Sequence, residues 1–328
     1  MKAVMGKVWG VALCTATLLC GGISAVALAQ EFPTKPVRFI VPFPPGGTVD
    51  PLARLIGAKL NAALGQQFIV DNRTGGSGTI GTGIAAKANP DGYTYLFVFD
   101  THAVNPSLIP NLPFDTLKDL APVMLVGRAP YGIITHPAKP YKSMKDVVNL
   151  AKAKPDTVTY GTVGAGSLGH LALTLAGQAG GFKIVHVPYK GGGPMTTAVL
   201  GGQIDIGIGS TALVTPFVKD NRMRALATTG DARSATLPSV PTLIEEGYKD
   251  VTAYAWWGIF TTARTPPAIL RKFHGEVVKV LNQPDVRQHL GEQLGMELVV
   301  SSPEELQKWT VNEVTRWARV IRDHNIKP

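Results

Sequence analysis

In Pro44-Pro45-Gly46-Gly47-Thr48, an apolar run of strand length breaks into a glycine turn that opens a helix; the same pattern returns at Thr74-Gly75-Gly76-Ser77-Gly78 and at Gly164-Ala165-Gly166-Ser167-Leu168-Gly169. The first N–H groups of a helix have no partner inside the helix and carry the positive end of its dipole. Glycine lets a ligand oxygen approach these groups closely. The sequence therefore predicts anion-binding turns, able to hold a ligand with separated negative groups between two lobes.

Apolar runs of strand length alternate with amphipathic stretches of helix length. The predicted strands are Val37–Phe43, Gln67–Asn72, Tyr93–Phe99, Val123–Gly127, Tyr131–Thr135, Thr157–Gly161, Ile184–Pro188, Ile204–Ile208, Arg224–Thr228 and Tyr254–Phe260. The predicted helices are Pro51–Leu64, Thr79–Ala88, Met144–Ala153, Ser167–Gly180, Met195–Leu200 and Leu213–Lys219, with three more in the tail from Pro266, Pro284 and Ser302-Pro303. Strands joined by helical crossovers form parallel sheets covered on both faces, so the pattern predicts an α/β fold.

The N-terminus has the pattern of a secretory signal peptide. Lys2 and Lys7 flank the start of an apolar stretch, and the small residues Ala27-Leu28-Ala29 follow, which predicts that residues 1–29 are removed after Ala29. Both cysteines of the chain, Cys14 and Cys20, leave with the signal. The mature protein then forms neither disulfides nor thiolate metal sites, as suits an oxidising compartment.

The charge and the remaining motifs exclude several classes of function. The formal net charge of +9 falls to +7 when Lys2 and Lys7 are lost, and the other basic residues are scattered, so we expect an acidic small ligand and no nucleic acid. The seven histidines form no metal-spaced cluster, so no metal is expected. Gly76–Gly81 and Gly164–Gly169 match the dinucleotide fingerprint. The first lacks a tight strand-to-turn junction, although Asp100 could supply the acid, and the second has no acid at the end of the next strand, so no cofactor is expected.

Ser167 has two interpretations. Ala165-Gly166-Ser167-Leu168-Gly169 is similar to the nucleophile elbow of a secreted serine hydrolase, but His274, His289 and His324 all fall in the helical tail. Ser167 is equally placed to cap the helix that follows and to donate to a carboxylate. Asp50 before Pro51 is interpreted as a helix cap. Asp100 and His102 follow a predicted strand, and whether they contact a ligand stays open.

A series of segments along the mature chain resembles one known family in its order and spacing. These segments are Val41–Asp50 with Ala53-Arg54, Val70–Gly76, His102 and Asn105, Tyr160-Gly161, Gly166-Ser167, His170-Leu171, His186–Gly191, Leu226-Ala227 and Leu237–Thr242. Together they are similar to the periplasmic binding proteins of tripartite tricarboxylate transporters, the Bug family.

This resemblance implies a two-lobed Venus flytrap fold, each lobe a mainly parallel sheet flanked by helices, that captures a small organic carboxylate in the periplasm without catalysis. It implies that residues 30–128 and 253–328 form the first lobe and residues 129–252 the second. The implied partners are inner-membrane permease subunits or a sensor, and the implied state is a monomer. The implied ligand-binding residues are Phe43, Gly47, Thr48, Asn72, Gly75 and Gly76 in the first lobe and Thr162, Gly166, Ser167 and Ser210 in the second.

Overall fold

The computed structural model describes residues 32–327, so the predicted signal peptide lies outside the described residues. The strands are β1 (Val37–Val41), β2 (Phe68–Asn72), β3 (Thr94–Val98), β4 (Leu120–Thr135), β5 (Thr159–Thr162), β6 (Val185–Pro188), β7 (Ile206–Ser210), β8 (Arg224–Thr228), β9 (Tyr254–Thr262) and β10 (Glu297–Leu298). The helices are α1 (Val49–Leu64), α2 (Thr79–Ala86), α3 (Thr101–Leu108), α4 (Met144–Ala153), α5 (Leu168–Gly180), α6 (Gly192–Leu200), α7 (Thr211–Lys219), α8 (Pro267–Leu281), α9 (Pro284–Arg287) and α10 (Pro303–Asp323). A 3₁₀ turn at Gly76–Gly78 precedes α2, and a π-helical turn at Gln288–Gln293 follows α9.

One long strand, β4, belongs to two sheets. Its first part, Leu120 to Pro130, pairs antiparallel with β9 in the order β2-β1-β3-β9-β4, which we call the first-lobe sheet. Its second part, from Tyr131, pairs with β7 and β8, and the order β4-β7-β5-β6 forms the second-lobe sheet. The parallel pairs are β1 with β2 and β3, and β5 with β6 and β7. The α/β class is therefore as predicted, with the antiparallel strands β4 and β9 in the middle.

The sequence interpretation differs from the structure at several elements, including the short strand β10, which was not expected. Val123–Gly127 and Tyr131–Thr135 were expected as separate strands, but Arg128 to Pro130 stay extended because they pair with β9. Pro130 has no N–H to donate, so the continuity of β4 here rests on the pairing of its neighbours with β9. Helix α3 was not expected, since Pro106 lies inside it. The strand expected at Ile204–Ile208 is β7, displaced by two residues to Ile206–Ser210.

An aromatic cluster fixes the strands that carry the first-lobe loops. Phe39 on β1 lies against Phe97 on β3, with 4.7 Å between ring centroids, and is fully buried. Tyr95 stacks on Phe273 of α8 at 3.6 Å. Full burial of such rings stabilises the fold by roughly 1.5–3 kcal/mol each. The carboxyl ends of β1 and β3, where ligand loops leave open α/β sheets, are thereby held in place.

The C-terminal helix returns to the first lobe. Ser302 caps α10, because its hydroxyl accepts from the Glu305 N–H while Glu305 accepts from the Ser302 N–H, and Pro303 opens the helix as predicted. Helix α10 packs against α3 and β4, and Trp317 is buried there with its indole N–H donating to Glu313. The tail therefore stabilises the helix that follows β3.

Gly127 on β4 and Gly275 on α8 allow a test of how closely the tail packs against β4. A Cβ on Gly127 of β4 would lie 2.6 Å from the Glu297 carbonyl oxygen of β10, whereas a Cβ on Gly275 of α8 would meet nothing within 4 Å. We expect Gly127→Ala to lower the free energy of unfolding by about 1–3 kcal/mol, since backbone must move. Gly275→Ala should raise it by about 0.5–1 kcal/mol, since alanine favours the helix.

Urea unfolding of both variants beside the wild type measures these changes. The two substitutions add the same methyl group, so opposite signs of the change in unfolding free energy report the difference in space around the two glycines. An unchanged stability for Gly127→Ala would contradict the close approach of β10 to β4.

Candidate functional site

The N-termini of three helices converge on one cavity between the two sheets. The residues that precede these helices, Thr48 before α1, Gly191 before α6 and Ser210 before α7, all line it. Its volume, measured as space open to the centre of a water molecule, is about 20 Å³, close to what one water needs. The full lining is Phe43, Gly47, Thr48, Val49, Phe99, Val163, Gly191, Gly192, Ser210 and Leu213.

Glycine is required where the two lobes meet beside this cavity. Gly191 has φ +136°, and a Cβ on Gly193 would lie 2.9 Å from the Pro45 carbonyl oxygen. A Cβ on Gly46 would lie 3.4 Å from the Gly193 Cα. The loop at Gly191–Gly193 therefore closes directly on the loop at Pro44–Gly47. Side chains at these positions would hold the lobes apart.

Two hydroxyl groups of the cavity are available to a ligand. Ser210 is 1% exposed, and its Oγ has no hydrogen-bond partner within residues 32–327. The Thr48 Oγ1 accepts from the Trp257 indole N–H at 2.9 Å, which leaves its own hydrogen free to donate. A buried hydroxyl without a partner carries a free-energy cost that a bound acceptor would relieve.

The cavity is electropositive without any cationic side chain. None of its lining residues is Lys or Arg. The positive ends of the α1, α6 and α7 dipoles and their unpaired first-turn N–H groups supply the field instead. Helix N-termini are well suited to bind anions. Across the described chain, no group of three His, Cys, Asp or Glu side chains is placed to hold a metal ion.

Of the ten predicted ligand residues, Phe43, Gly47, Thr48 and Ser210 line the cavity. Asn72 lies behind it: its side-chain amide donates to the Phe43 carbonyl at 3.0 Å and to Asp50 at 2.9 Å. Asp50 is not the helix cap that we expected. Helix α1 begins at Val49, and the Asp50 carboxylate pairs with the Arg54 guanidinium at 2.9 Å, so it orients Asn72 rather than helix N–H groups.

The second glycine turn contacts the third instead of the cavity. The Ser77 hydroxyl donates to the Ala165 carbonyl at 2.9 Å, and the Asn105 amide donates to the Ser77 carbonyl at 3.1 Å. Gly75 and Gly76 both have positive φ in this turn, and neither lines the cavity. The turn at Gly75–Gly78 therefore joins the first lobe to the second.

The third turn is organised by two stacked histidines. Gly166 donates its N–H to the His170 Nδ1 at 3.2 Å, and Thr162 Oγ1 lies 2.8 Å from His186 Nε2. The two rings lie 4.0 Å apart, and burial lowers the pKa of His170 to about 3 and that of His186 to about 4. Ser167 accepts from the His170 backbone N–H at 3.3 Å and caps α5, as one of its two interpretations predicted. Thr162, Gly166 and Ser167 do not line the cavity.

Sequence reasoning missed the fourth glycine turn. Lys190-Gly191-Gly192-Gly193-Pro194 follows β6 and opens α6, the same pattern as the first turn. Its proline, like Pro51 in α1, is the third residue of its helix. That pattern could have identified this turn from the sequence. No local pattern identifies the apolar lining residues Val49, Phe99, Val163 and Leu213.

Asp100 is buried between the lobes. The Tyr131 hydroxyl of the second-lobe sheet donates to its carboxyl group, and the Leu168 N–H of α5 lies 3.5 Å away. Burial raises the pKa of the Asp100 carboxyl to about 8, against the opposing effect of the Tyr131 hydrogen bond. His102 is also buried, and burial lowers its pKa to about 3. Neither residue lines the cavity.

Known proteins of the same architecture were compared with the chain. The family model described as tripartite tricarboxylate transporter family receptor matches residues 52–326. Protein BugT of Bordetella pertussis is 34% identical over 308 residues, covering 93% of this chain and 94% of BugT. The structure of R. palustris Rpa4515 with adipate has a TM-score of 0.86 at 32% identity, covering 91% of this chain and 100% of that one. MatC from Rhodopseudomonas palustris with bound malate has a TM-score of 0.83 at 29% identity, covering 88% and 100%.

The fold and the cavity between its lobes define a two-lobed solute-binding protein. The chain belongs to the tripartite tricarboxylate transporter receptor family. Within residues 32–327, none of the helices has the length and apolar character needed to cross a bilayer.

The Asp100 contact predicts a pH dependence. Its folded pKa lies above its unfolded value, so its contribution to stability is fully present below about pH 4 and is lost as the pH rises to about 8. An asparagine side chain at this position would keep the acceptor for Tyr131 without the charge. We therefore expect Asp100→Asn to raise the free energy of unfolding at pH 8 by more than about 1 kcal/mol, with a smaller gain at pH 5.

Chemical denaturation of both proteins from pH 5 to 8.5 measures this difference. Asp220→Asn changes an exposed carboxylate that directly follows α7 and makes no hydrogen bond or ion pair in the described structure, so it serves as the comparison. A gain for Asp100→Asn that does not change with pH would contradict the buried, protonated carboxyl.

Proposed function

We propose that this protein is a periplasmic receptor that captures a small organic carboxylate between its lobes. It delivers the ligand to inner-membrane permease subunits or reports it to a sensor. The observation that carries the proposal is the convergence of the α1, α6 and α7 N-termini on one cavity beside the unpartnered Ser210 hydroxyl. The adipate in Rpa4515 and the malate in MatC support the same class of ligand here.

A carboxylate fits this site better than a cation or a neutral solute. Each helix N-terminus favours a nearby negative charge by about 0.3–1 kcal/mol, and more in partly buried geometry. Hydrogen bonds to a charged group contribute about 1.5–3 kcal/mol. With dipoles rather than lysine as the counter-charge, binding depends on the ionised carboxylate and persists in moderate salt.

The predicted ligand residues divide into two roles under this proposal. Phe43, Gly47, Thr48 and Ser210 contact the ligand, because they line the cavity. The other residues hold the loops in place: Asn72 through the Phe43 carbonyl, and the turn at Gly75-Gly76 through Ser77. On the second-lobe side, the loops are held in the same way by hydrogen bonds of Thr162, Gly166 and Ser167.

Ligand entry requires the lobes to separate. A cavity of about 20 Å³ holds no organic carboxylate, so the closed arrangement must open before binding. We propose that residues 30–128 and 253–328 move as one body and residues 129–252 as the other, with β4 and β9 as the crossings. Opening breaks the contacts of Ser77 with Ala165 and of Asp100 with Tyr131.

We further propose that the protein is exported and catalyses no reaction. Residues 1–29 act as a signal peptide cleaved after Ala29, and the mature chain works as a monomer without a cofactor. Ser167 serves as a helix cap, since its Oγ accepts from a backbone N–H and the ring Nδ1 of His170 is occupied by Gly166. A serine hydrolase needs a histidine ring as base for that hydroxyl.

Removing the Ser210 hydroxyl tests this site. We expect Ser210→Ala to weaken carboxylate binding about 10- to 100-fold, because one charge-assisted hydrogen bond of about 1.5–3 kcal/mol is lost. Folding stability should change little or rise, because the hydroxyl has no partner in the described structure without ligand. Isothermal titration with carboxylates found by a thermal-shift screen measures the affinity.

Ser239→Ala removes the same atom from an exposed serine that lines no described cavity, so it controls for general effects. Equal affinity for Ser210→Ala and the wild type would show that the ligand does not reach α7. Hydrolysis of an ester by the wild type, lost in Ser167→Ala, would instead favour the enzyme.

A further inference from the structure

A second, larger groove opens beside the cavity and shares its wall. The groove has a volume of about 240 Å³ and, like the cavity, is lined by Gly47, Thr48 and Leu213. A group seated at the helix N-termini therefore lies directly next to this space. The groove runs between α1 and the π-helical turn of the first lobe and α7 of the second.

The lining of the groove is almost entirely apolar. Leu52 and Leu55 come from α1, Ala212 and Leu213 from α7, and Leu290 and Leu294 from the π-helical region. None of its lining residues is Lys, Arg, Asp or Glu. The titratable residue among them is His289, whose Nδ1 lies 2.9 Å from the Gln293 side-chain oxygen. Apart from His289, which is exposed at the surface, the groove has no side chain that could carry a positive charge beside a second carboxylate.

The size and the backbone of the groove suit a ligand body. An apolar cavity of about 150 Å³ accepts a benzene ring, so about 240 Å³ accommodates a ring or a chain of six to eight carbons. The Gln288–Gln293 segment forms a π-helical turn, a rare feature that often occurs at functional sites. This turn contributes His289 and Leu290 to the wall.

Resting on the proposed function, we propose that the ligand is a monocarboxylate with an apolar body. Its carboxylate binds at the α1, α6 and α7 N-termini, and its alkyl or aromatic part lies in the groove between Leu55 and Leu213. A second carboxylate lying along the wall formed by Leu52, Leu55 and Leu290 would have no charged partner there, which is costly. The site therefore favours one charged end over two.

A chain-length series tests this inference on the full mature protein. Dissociation constants are measured by isothermal titration for propanoate, butanoate, hexanoate, octanoate and benzoate, with hexanedioate as the two-ended match to hexanoate. We expect affinity to rise about threefold to fourfold for each methylene until the groove is filled. Hexanedioate should bind at least tenfold more weakly than hexanoate.

Leu55→Gln places an amide in the groove wall and should lower the ratio of hexanoate to propanoate affinity at least fivefold. Leu294→Gln makes the same test from the opposite wall if Leu55→Gln does not fold. Leu175→Gln changes a half-buried leucine of α5 that lines no described cavity, and should leave the ratio unchanged.

The outcomes separate this inference from the receptor function. Hexanedioate equal to or tighter than hexanoate, or a flat chain-length series, overturns the apolar groove while the receptor proposal stands. A chain-length dependence that persists in both groove variants also overturns it, since the apolar part of the ligand would then lie outside the groove. If no carboxylate of this series or of the wider thermal-shift screen binds, the proposed function itself fails.

Discussion

The closure of two glycine loops over three helix N-termini is the constraint on which the rest of the structure depends. Gly191–Gly193 meets Pro44–Gly47 so closely that side chains would separate the lobes. Closure brings the positive ends of α1, α6 and α7 to one small cavity. Like charges gathered without a counter-ion repel one another, so an anion stabilises the closed form more than the open one. Ligand charge and lobe closure are therefore coupled through the backbone.

The strands that cross between the lobes give this closure its geometry. β4 continues from the first-lobe sheet into the second, and β9 runs antiparallel beside it. Tyr131 on β4 lies just past the crossing and holds the buried Asp100. A titratable contact therefore lies beside the strands that we propose as the crossings between the lobes. Protonation of Asp100 favours the closed arrangement, since its pKa is raised by burial there.

Much of the fold could be predicted from the chain, and the reasons differ between elements. The turns before α1 and α5 were visible because glycine after a strand-like run has few other uses, and Ser302-Pro303 marked α10 by its capping chemistry. β4 was divided into two strands, since the pairing with β9 that keeps Arg128 to Pro130 extended is a tertiary contact that the local sequence does not report. α3 was missed because Pro106 lies inside it.

The site was predicted in part. Thr48 was expected from the glycine turn before α1 and from the family resemblance, and Ser210 from the resemblance alone. The Gly191–Gly193 turn has the same local pattern as the first turn and was overlooked. Phe99, Val163 and Leu213 line the cavity through tertiary packing, which no local pattern reports. Asn72 was expected to contact the ligand. Its side-chain amide instead donates to the Phe43 carbonyl and to Asp50, which the folded chain brings close to the end of β2.

A crystal structure of the complex with the tightest-binding carboxylate is the most direct test of the central claim. The account predicts carboxylate oxygens about 2.7–3.2 Å from first-turn N–H groups of α1 and α6 and from the Ser210 hydroxyl. It also predicts that no lysine or arginine nitrogen lies within about 4 Å of them. A carboxylate paired with a lysine or arginine, or bound at Gly75–Gly78 with the three-helix cavity empty, would contradict the account.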